Sequence, residues 1–360
     1  MRKLASIQTI NSISPIQGRD RIVLATVNGW KVIVKKDEFQ PGDKCVYIEI
    51  DSVLPPKPEF DFLKDKHYRI KTMKMAGVIS QGICFPLSVL PGGNKEWKVG
   101  DDVTGVLGVT QYVPTMDDPA PKATPATKFR YPAFLMKRKF FRKWIGSKKD
   151  QRAFPDFIQK TDETRIQNMP FILKDKTPWI ATEKIDGQSG TFVLVRRKSK
   201  FPFVKDKLEY IVCSSNVRLF QKDNSSYWKV SDKYRIRDAL EKIIGDNEWV
   251  CLQGECIDTN VQGNKYKVKE PKFYAFNLIT PTGRKNSLWA KAICAKYGIP
   301  FVPIIDTGYV LPDTVDEVLA YAHSQSQIGD TIREGIVFRS PDGRQSFKAV
   351  DPLFLLKYNE

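Results

Sequence analysis

The chain has 360 residues, 41% of them hydrophobic, with 58 Lys and Arg against 41 Asp and Glu and a formal net charge of +17. That length allows two or three domains, each with its own core, and no apolar run approaches the length of a membrane span, which argues against a membrane protein. The charge calls for a polyanionic partner, most economically nucleic acid.

The N-terminus, Met1 to Ser6, is not followed by the apolar segment of a secretory signal. The cysteines at 45, 84, 213, 251, 256 and 294 are scattered through apolar runs, so buried free thiols in a reducing, cytoplasmic setting are expected. His67 and His323 are the only histidines, which leaves little material for a histidine-based triad or metal site.

Residues 1–112 read as short strands. Arg21–Val27 and Trp30–Val34 flank Asn28-Gly29, a two-residue hairpin signal. Cys45–Ile50 follows the turn Pro41-Gly42-Asp43-Lys44, and Gly77–Pro86 and Val103–Val109 complete the run. Five strands in about a hundred residues predict a small closed β-barrel of the oligonucleotide-binding (OB-like) kind, an RNA-binding module. Lys64, Lys66, Arg69, Lys71 and Lys74 form either a phosphate-tracking loop or a solvated one.

Residues 113–165 read as a connector. Pro114, Pro119, Pro121, Pro125 and Pro132 mark a linker. Residues 128–149 then carry nine basic residues and no acid. Phe129, Tyr131, Phe134, Phe140, Phe141 and Trp144 are interleaved among them, a pattern that suits phosphates and stacked bases, or equally an amphipathic helix.

Residues 166–360 are mixed. Strands are expected at Thr191–Arg196, Glu209–Ser214, Trp249–Ile257, Phe273–Ile279, 301–305, Gly335–Arg339 and Ser346–Val350. Helices are expected from Ser231 or Asp232 to Ile244, stopped by Gly245, then around Ser287–Lys296 and around 314–323. A turn is expected at Gln262-Gly263-Asn264. Strands and helices do not alternate regularly, so this domain is α+β rather than doubly wound.

The chemistry gathers around Trp179-Ile180-Ala181-Thr182-Glu183-Lys184-Ile185-Asp186-Gly187. Alternation along an extended strand puts Lys184 and Asp186 on one side, and Gly187 permits a sharp turn or a close ligand approach. Gln253-Gly254-Glu255, the aromatic Phe273–Leu278, Glu334-Gly335 and Ser346-Phe347-Lys348 follow in that order. Together these five motifs resemble the nucleotidyltransferase superfamily of covalent lysyl-AMP polynucleotide ligases and mRNA capping enzymes. The ATP-dependent RNA ligases with an OB-like barrel ahead of the ligase domain are the nearest group. The resemblance spans Trp179 to Lys357.

It implies an RNA ligase, a monomer, that joins 3′-hydroxyl and 5′-phosphate ends through lysyl-AMP and RNA-adenylate, using ATP and Mg2+ or Mn2+. By the resemblance, Lys184 is the nucleophile and Lys348 neutralises phosphate charge. Asp186, Glu255 and Glu334 serve nucleotide and metal-water contacts. Phe276 stacks on adenine, while Glu183 and Gly187 line the nucleotide pocket. All proposed nucleotide contacts lie between Glu183 and Lys348, so the pocket is expected to be complete without the barrel.

Three departures stand out. Relatives often carry a second lysine where Val350 stands, so Arg339 or Lys357 is a candidate cation, or Lys348 works alone and Val350→Lys is mild. The arginine of a Ser-Arg-Asn-like motif is missing from Ser214-Ser215-Asn216, with Arg218 as its substitute. Asn277 stands where close relatives often have aspartate. A DNA ligase, a GTP-using capping enzyme and a non-catalytic RNA-binding protein are the rival readings.

Overall fold

The computed structural model describes residues 3–91, 96–112, 153–199, 205–219 and 225–358. The proline-rich linker and the basic-aromatic stretch 128–149 lie outside the described residues. Among those described, no helix is long and apolar enough to cross a membrane.

The N-terminal part is built on a five-stranded antiparallel sheet. Its middle strand is Ala5–Ile16, flanked by Arg19–Val27 and then Trp30–Lys35 on one side and by Lys44–Ile48 and then Ile83–Phe85 on the other. Trp30, Ile7, Ile10, Val27 and Ile48 fill its core with almost no exposure. The Asn28-Gly29 hairpin forms as expected, with Val27 paired to Trp30 and Asn28 at φ +51°.

Two local expectations need correction, and one strand had not been expected. Ala5–Ile16 is a strand that alternation alone misses, because a register shift between Ile10 and Ser12 flips its inward face partway along. Val103–Val109 is not a strand: Thr104–Leu107 makes one helical turn, ended by Gly108 at φ +74°. The Thr104 hydroxyl there accepts the Leu4 and Ala5 amides, so the segment plugs the barrel rather than extending it. The helix expected from Ser231 or Asp232 is two helices, Ser226–Lys233 and Ile236–Ile243, broken where Arg235 adopts φ +49°.

The C-terminal part holds two antiparallel sheets. The six-stranded one runs Arg218–Leu219, Lys207–Cys213, Gln188–Arg197, Trp249–Ile257, Lys272–Thr280, Gly283–Arg284. Helices Ser226–Lys233, Ile236–Ile243 and Ser287–Lys296 close one of its faces over Phe192, Leu252 and Phe273. The four-stranded sheet runs Ile304–Tyr309, Trp179–Lys184, Gly335–Arg339, Ser346–Val350. Helix Val315–Ala322 packs on it, started by Thr314 and Glu317 in a capping box.

The chain passes from the smaller sheet to the larger between Lys184 and Gln188. Lys184-x-Asp186-Gly187 therefore sits where the two sheets diverge. Alternation delivers the other motif residues to the same opening: Lys184 pairs with Gly335, and Val337 pairs with Lys348.

The two parts of the molecule meet through a polar seam. The Gly29 amide donates to the Gln167 carbonyl at 3.0 Å. Trp30 Nε1 donates to Asn168 Oδ1 at 2.6 Å, and Asn168 Nδ2 donates to Glu49 Oε1 at 2.7 Å. A Cβ on Gly29 would lie 2.8 Å from the Gln167 Cα, so glycine is needed for this approach. Val350, Phe354 and Leu355 join the barrel's own apolar cluster.

Candidate active site

A cavity of about 1270 Å3 opens where the sheets diverge. Lys184 projects into it and donates from Nζ to Glu334 Oε2 at 2.6 Å. Burial favours the neutral amine of Lys184, but the carboxylates of Glu334, Glu255 and Asp186 outweigh it and hold its pKa above the ordinary lysine value. Burial pushes Glu255 up to about 8 against the pull of Lys184, and Glu334 and Asp186 add to the rise. Glu334 thus holds the Lys184 ammonium directly, while Asp186 and Glu255 add negative charge close by.

The remaining predicted residues fall around this centre. Glu183 is 1% exposed; its carboxylate accepts the Ser326 hydroxyl at 2.5 Å and the Gln327 amide at 2.9 Å. Its pKa is nevertheless raised, by burial. Gly187 lines the cavity, and a Cβ there would meet the Cys256 carbonyl oxygen at 2.5 Å and the Glu255 Cγ at 3.0 Å. Phe276 lines the cavity, with the Arg339 guanidinium carbon 5.7 Å from its ring centre. Lys348 donates to Asp162 at 2.9 Å; burial, then the nearby Arg165, bring its pKa down to about 8.

Arg339 also lines the cavity, is 3% exposed, and donates to Thr182 Oγ1 at 2.9 Å and Asn277 Oδ1 at 3.2 Å. Burial lowers its pKa to about 10. Asn277 in turn donates to Gln253 at 3.0 Å, so its amide accepts from Arg339 and donates to Gln253, a pairing in which an aspartate has no donor for Gln253.

The structure does not bring Arg218 or Lys357 into the cavity. Arg218 is tied to Glu209 at 2.9 Å, although the neighbouring Ser215 and Asn216 do line the space. Lys357 points to Thr331, 3.5 Å away. Val350 is 1% exposed and belongs to the barrel-side apolar core, which explains why that position carries no lysine.

Two sets of residues escape the motif reading. One is the segment Gln159–Arg165, which lines the cavity opposite Lys184. Arg165 is 7% exposed and its Nη2 donates to Asp51 of the barrel at 3.1 Å, yet Nε and Nη1 are buried without a hydrogen-bond partner. Buried guanidinium nitrogens without an acceptor cost free energy, and a bound phosphate is the acceptor that fits them. Only its position at the edge of the connector marks this residue in the sequence. The other set is the barrel wall, including Gln8, Asn28, Tyr47 and Tyr112, which faces the same cavity. The cavity thus has walls from both parts, whereas the nucleotide contacts were expected from Glu183 to Lys348 alone.

Lys348, Arg165 and the aromatic ring of Phe276 all line the one cavity. Among the described residues, no three His, Cys, Asp or Glu side chains stand close enough to hold a metal ion directly. The set Asp186, Glu255 and Glu334 fits a hydrated divalent ion held through water, because hard carboxyl oxygens are the ligands such an ion takes.

Comparison with known proteins agrees with this geometry. A family model described as RNA ligase matches residues 177–358, and an OB-fold domain model matches residues 4–87. Naegleria gruberi RNA ligase with PPi is similar to 100% of this chain and 99% of its own, at 28% identity and a TM-score of 0.80. Mutants of the same protein, one with AMP and Mn and one with ATP and Mn, match 99% of both chains at 28% identity and a TM-score of 0.81. No curated protein matches. With its family model covering the whole segment that carries Lys184, Glu255, Glu334 and Lys348, the chain belongs to the RNA ligase family.

Proposed function

We propose that the protein is an ATP-dependent RNA ligase that seals a 3′-hydroxyl to a 5′-phosphate by way of a lysyl-AMP. The observation that carries this reading is Lys184, held by Glu334 at 2.6 Å inside a cavity that also presents Lys348, Arg165 and Phe276. In the first step the Lys184 Nζ–phosphorus bond forms as the bond to pyrophosphate breaks, and Nζ gives up its proton. Lys348 and Arg165 offset the charge that builds on the phosphates. Phe276 and Glu183 hold the base and ribose. In the second step an oxygen of the RNA 5′-phosphate attacks the same phosphorus and the N–P bond breaks. In the third, the 3′-hydroxyl attacks the 5′-phosphorus of the RNA-adenylate and AMP leaves.

The carboxylates around Lys184 favour its ammonium form, which cannot attack. Asp186, Glu255 and Glu334 would hold a divalent ion through water, and its charge would offset theirs and favour the free amine. Solved relatives that hold ATP or AMP together with Mn support a divalent ion beside the nucleotide.

We place an RNA-binding barrel at residues 1–112, a connector at 113–165 and the ligase domain at 166–360. Salt-sensitive phosphate contacts from a chain of this charge hold the ends in reacting geometry. Nicked duplexes with RNA or DNA on each side of the break test the substrate. Sealing that requires ribonucleotides at the break, with ATP and not GTP or NAD, supports the reading. Equal sealing of all-DNA nicks, or no sealing with ATP, overturns it.

A further inference from the structure

The turn Gln262-Gly263-Asn264 looks like an ordinary surface connection in the sequence, but the residues that follow it do not stay at the surface. Lys265 is 9% exposed and its Nζ lies 2.5 Å from Asp186 Oδ2. The next residue, Tyr266, is 7% exposed, and its hydroxyl accepts the backbone amide of Asp186 at 2.9 Å. Two consecutive residues thus grip Asp186 from both ends, one at the carboxylate and one at the main chain.

The grip is braced on every side. Asn264 bonds Val268 in both directions: its Oδ1 accepts the Val268 amide at 2.8 Å and its Nδ2 donates to the Val268 carbonyl at 3.0 Å. Gln262, Gly263, Asn264 and Lys267 all adopt positive φ, between +48° and +66°, a tight winding that the fold must hold in place. The Lys265 ammonium lies over the rings of Phe354 and Tyr358, 4.9 and 4.6 Å from their centres, on the C-terminal helix Pro352–Tyr358. A lysine kept from water by two aromatic faces and one carboxylate has little freedom to leave.

We propose that Lys265 and Tyr266 are positioning residues of the ligase reaction: they fix the carboxylate and the backbone of Asp186, and through the Asp186-Gly187 turn they fix the direction of Lys184. The proposal rests on the reading of Lys184 as the adenylated residue. Lys265 is not among the residues that line the cavity, and its work is to hold a carboxylate oxygen of Asp186. Positional errors of about 1 Å at a reacting centre cost roughly a hundredfold in rate, so a clamp of this kind has a measurable effect.

The test uses full-length protein with Lys265→Met, Lys265→Arg and Tyr266→Phe, and measures the single-turnover rate of lysyl-AMP formation at saturating ATP and Mn2+. Lys265→Met is expected to slow adenylation at least tenfold, and Lys265→Arg to recover most of that loss. In an Asp186→Asn background, Lys265→Met should add nothing, because the clamp then has no carboxylate to hold. A purely structural role would instead lower Tm with an undiminished rate in the folded fraction. Tyr266→Phe keeps the ring and removes the acceptor, so the Asp186 amide should exchange hydrogen about tenfold faster, a readout independent of ATP. Lys265→Met within twofold of the wild-type rate, or a defect that persists undiminished beside Asp186→Asn, overturns the proposal. Failure of the wild type to take label on Lys184 overturns the ligase reading instead, and the Asp186 exchange rate then still decides whether the grip exists.

Discussion

Asp51→Ala tests whether the barrel helps to build the nucleotide pocket. Asp51 lies in the barrel, 24% exposed, and binds the 7% exposed guanidinium of Arg165 at 3.1 Å. Removing the carboxylate leaves a third Arg165 nitrogen short of a partner, since Nε and Nη1 already lack one. Breaking a fully buried ion pair costs about 3–5 kcal/mol, and the partial exposure of Asp51 brings the figure down to about 1–3 kcal/mol. Part of that appears as a fall in Tm of a few degrees. The rest appears as a loosened Arg165 and a KM for ATP in lysyl-AMP formation raised about tenfold, with a smaller change in the maximal rate. Initial rates of Lys184 labelling across an ATP series, with a melting curve of each protein, give both numbers. An unchanged KM in a protein of unchanged Tm refutes the link between barrel and pocket.

Lys348 has a pKa lowered to about 8, so it is charged below that pH and neutral above it. Its help to the phosphates should be lost as pH rises through about 8, and Lys348→Arg, which stays charged, should remove that alkaline loss from the pH profile of kcat/KM while working more slowly near pH 7. Val350→Lys would bury an ammonium at a position 1% exposed among Phe354 and Leu355. It should therefore destabilise the protein by about 3 kcal/mol or more, read as a lower Tm, rather than prove mild as the motif comparison implies. Gly335→Ala places a Cβ 2.1 Å from the Ala349 carbonyl oxygen, between the strands that carry Glu334 and Lys348. A cost of about 1–3 kcal/mol in stability and a larger fractional loss of adenylation are expected, measured by melting and by labelling.

What was legible in the sequence is what depends on local pattern. The strands Gly335–Arg339 and Ser346–Val350 and the helix Ser287–Lys296 fall where alternation, spacing and end signals put them. Lys184, Asp186, Glu255, Phe276, Glu334 and Lys348 could be named because five short motifs, each ordinary alone, follow in the order of the polynucleotide ligases they resemble. What was not legible depends on partners far along the chain. Arg165 looks like any connector arginine until Asp51 and the cavity are placed beside it. Lys265 looks like a solvated turn lysine until it is found on Asp186. Arg218 stands at a plausible spacing, but Glu209 on the adjoining strand holds it. The bulge in Ala5–Ile16 and the helical turn at Thr104–Leu107 were hidden for the opposite reason: local pattern there is overruled by barrel closure.

The central claim is that Lys184 carries AMP. Incubation with α-labelled ATP and Mn2+, followed by mapping of the labelled peptide, should place the label on Lys184 alone. Lys184→Ala should take no label while binding RNA as the wild type does. Label on a different lysine, or none with either Mn2+ or Mg2+, contradicts the account.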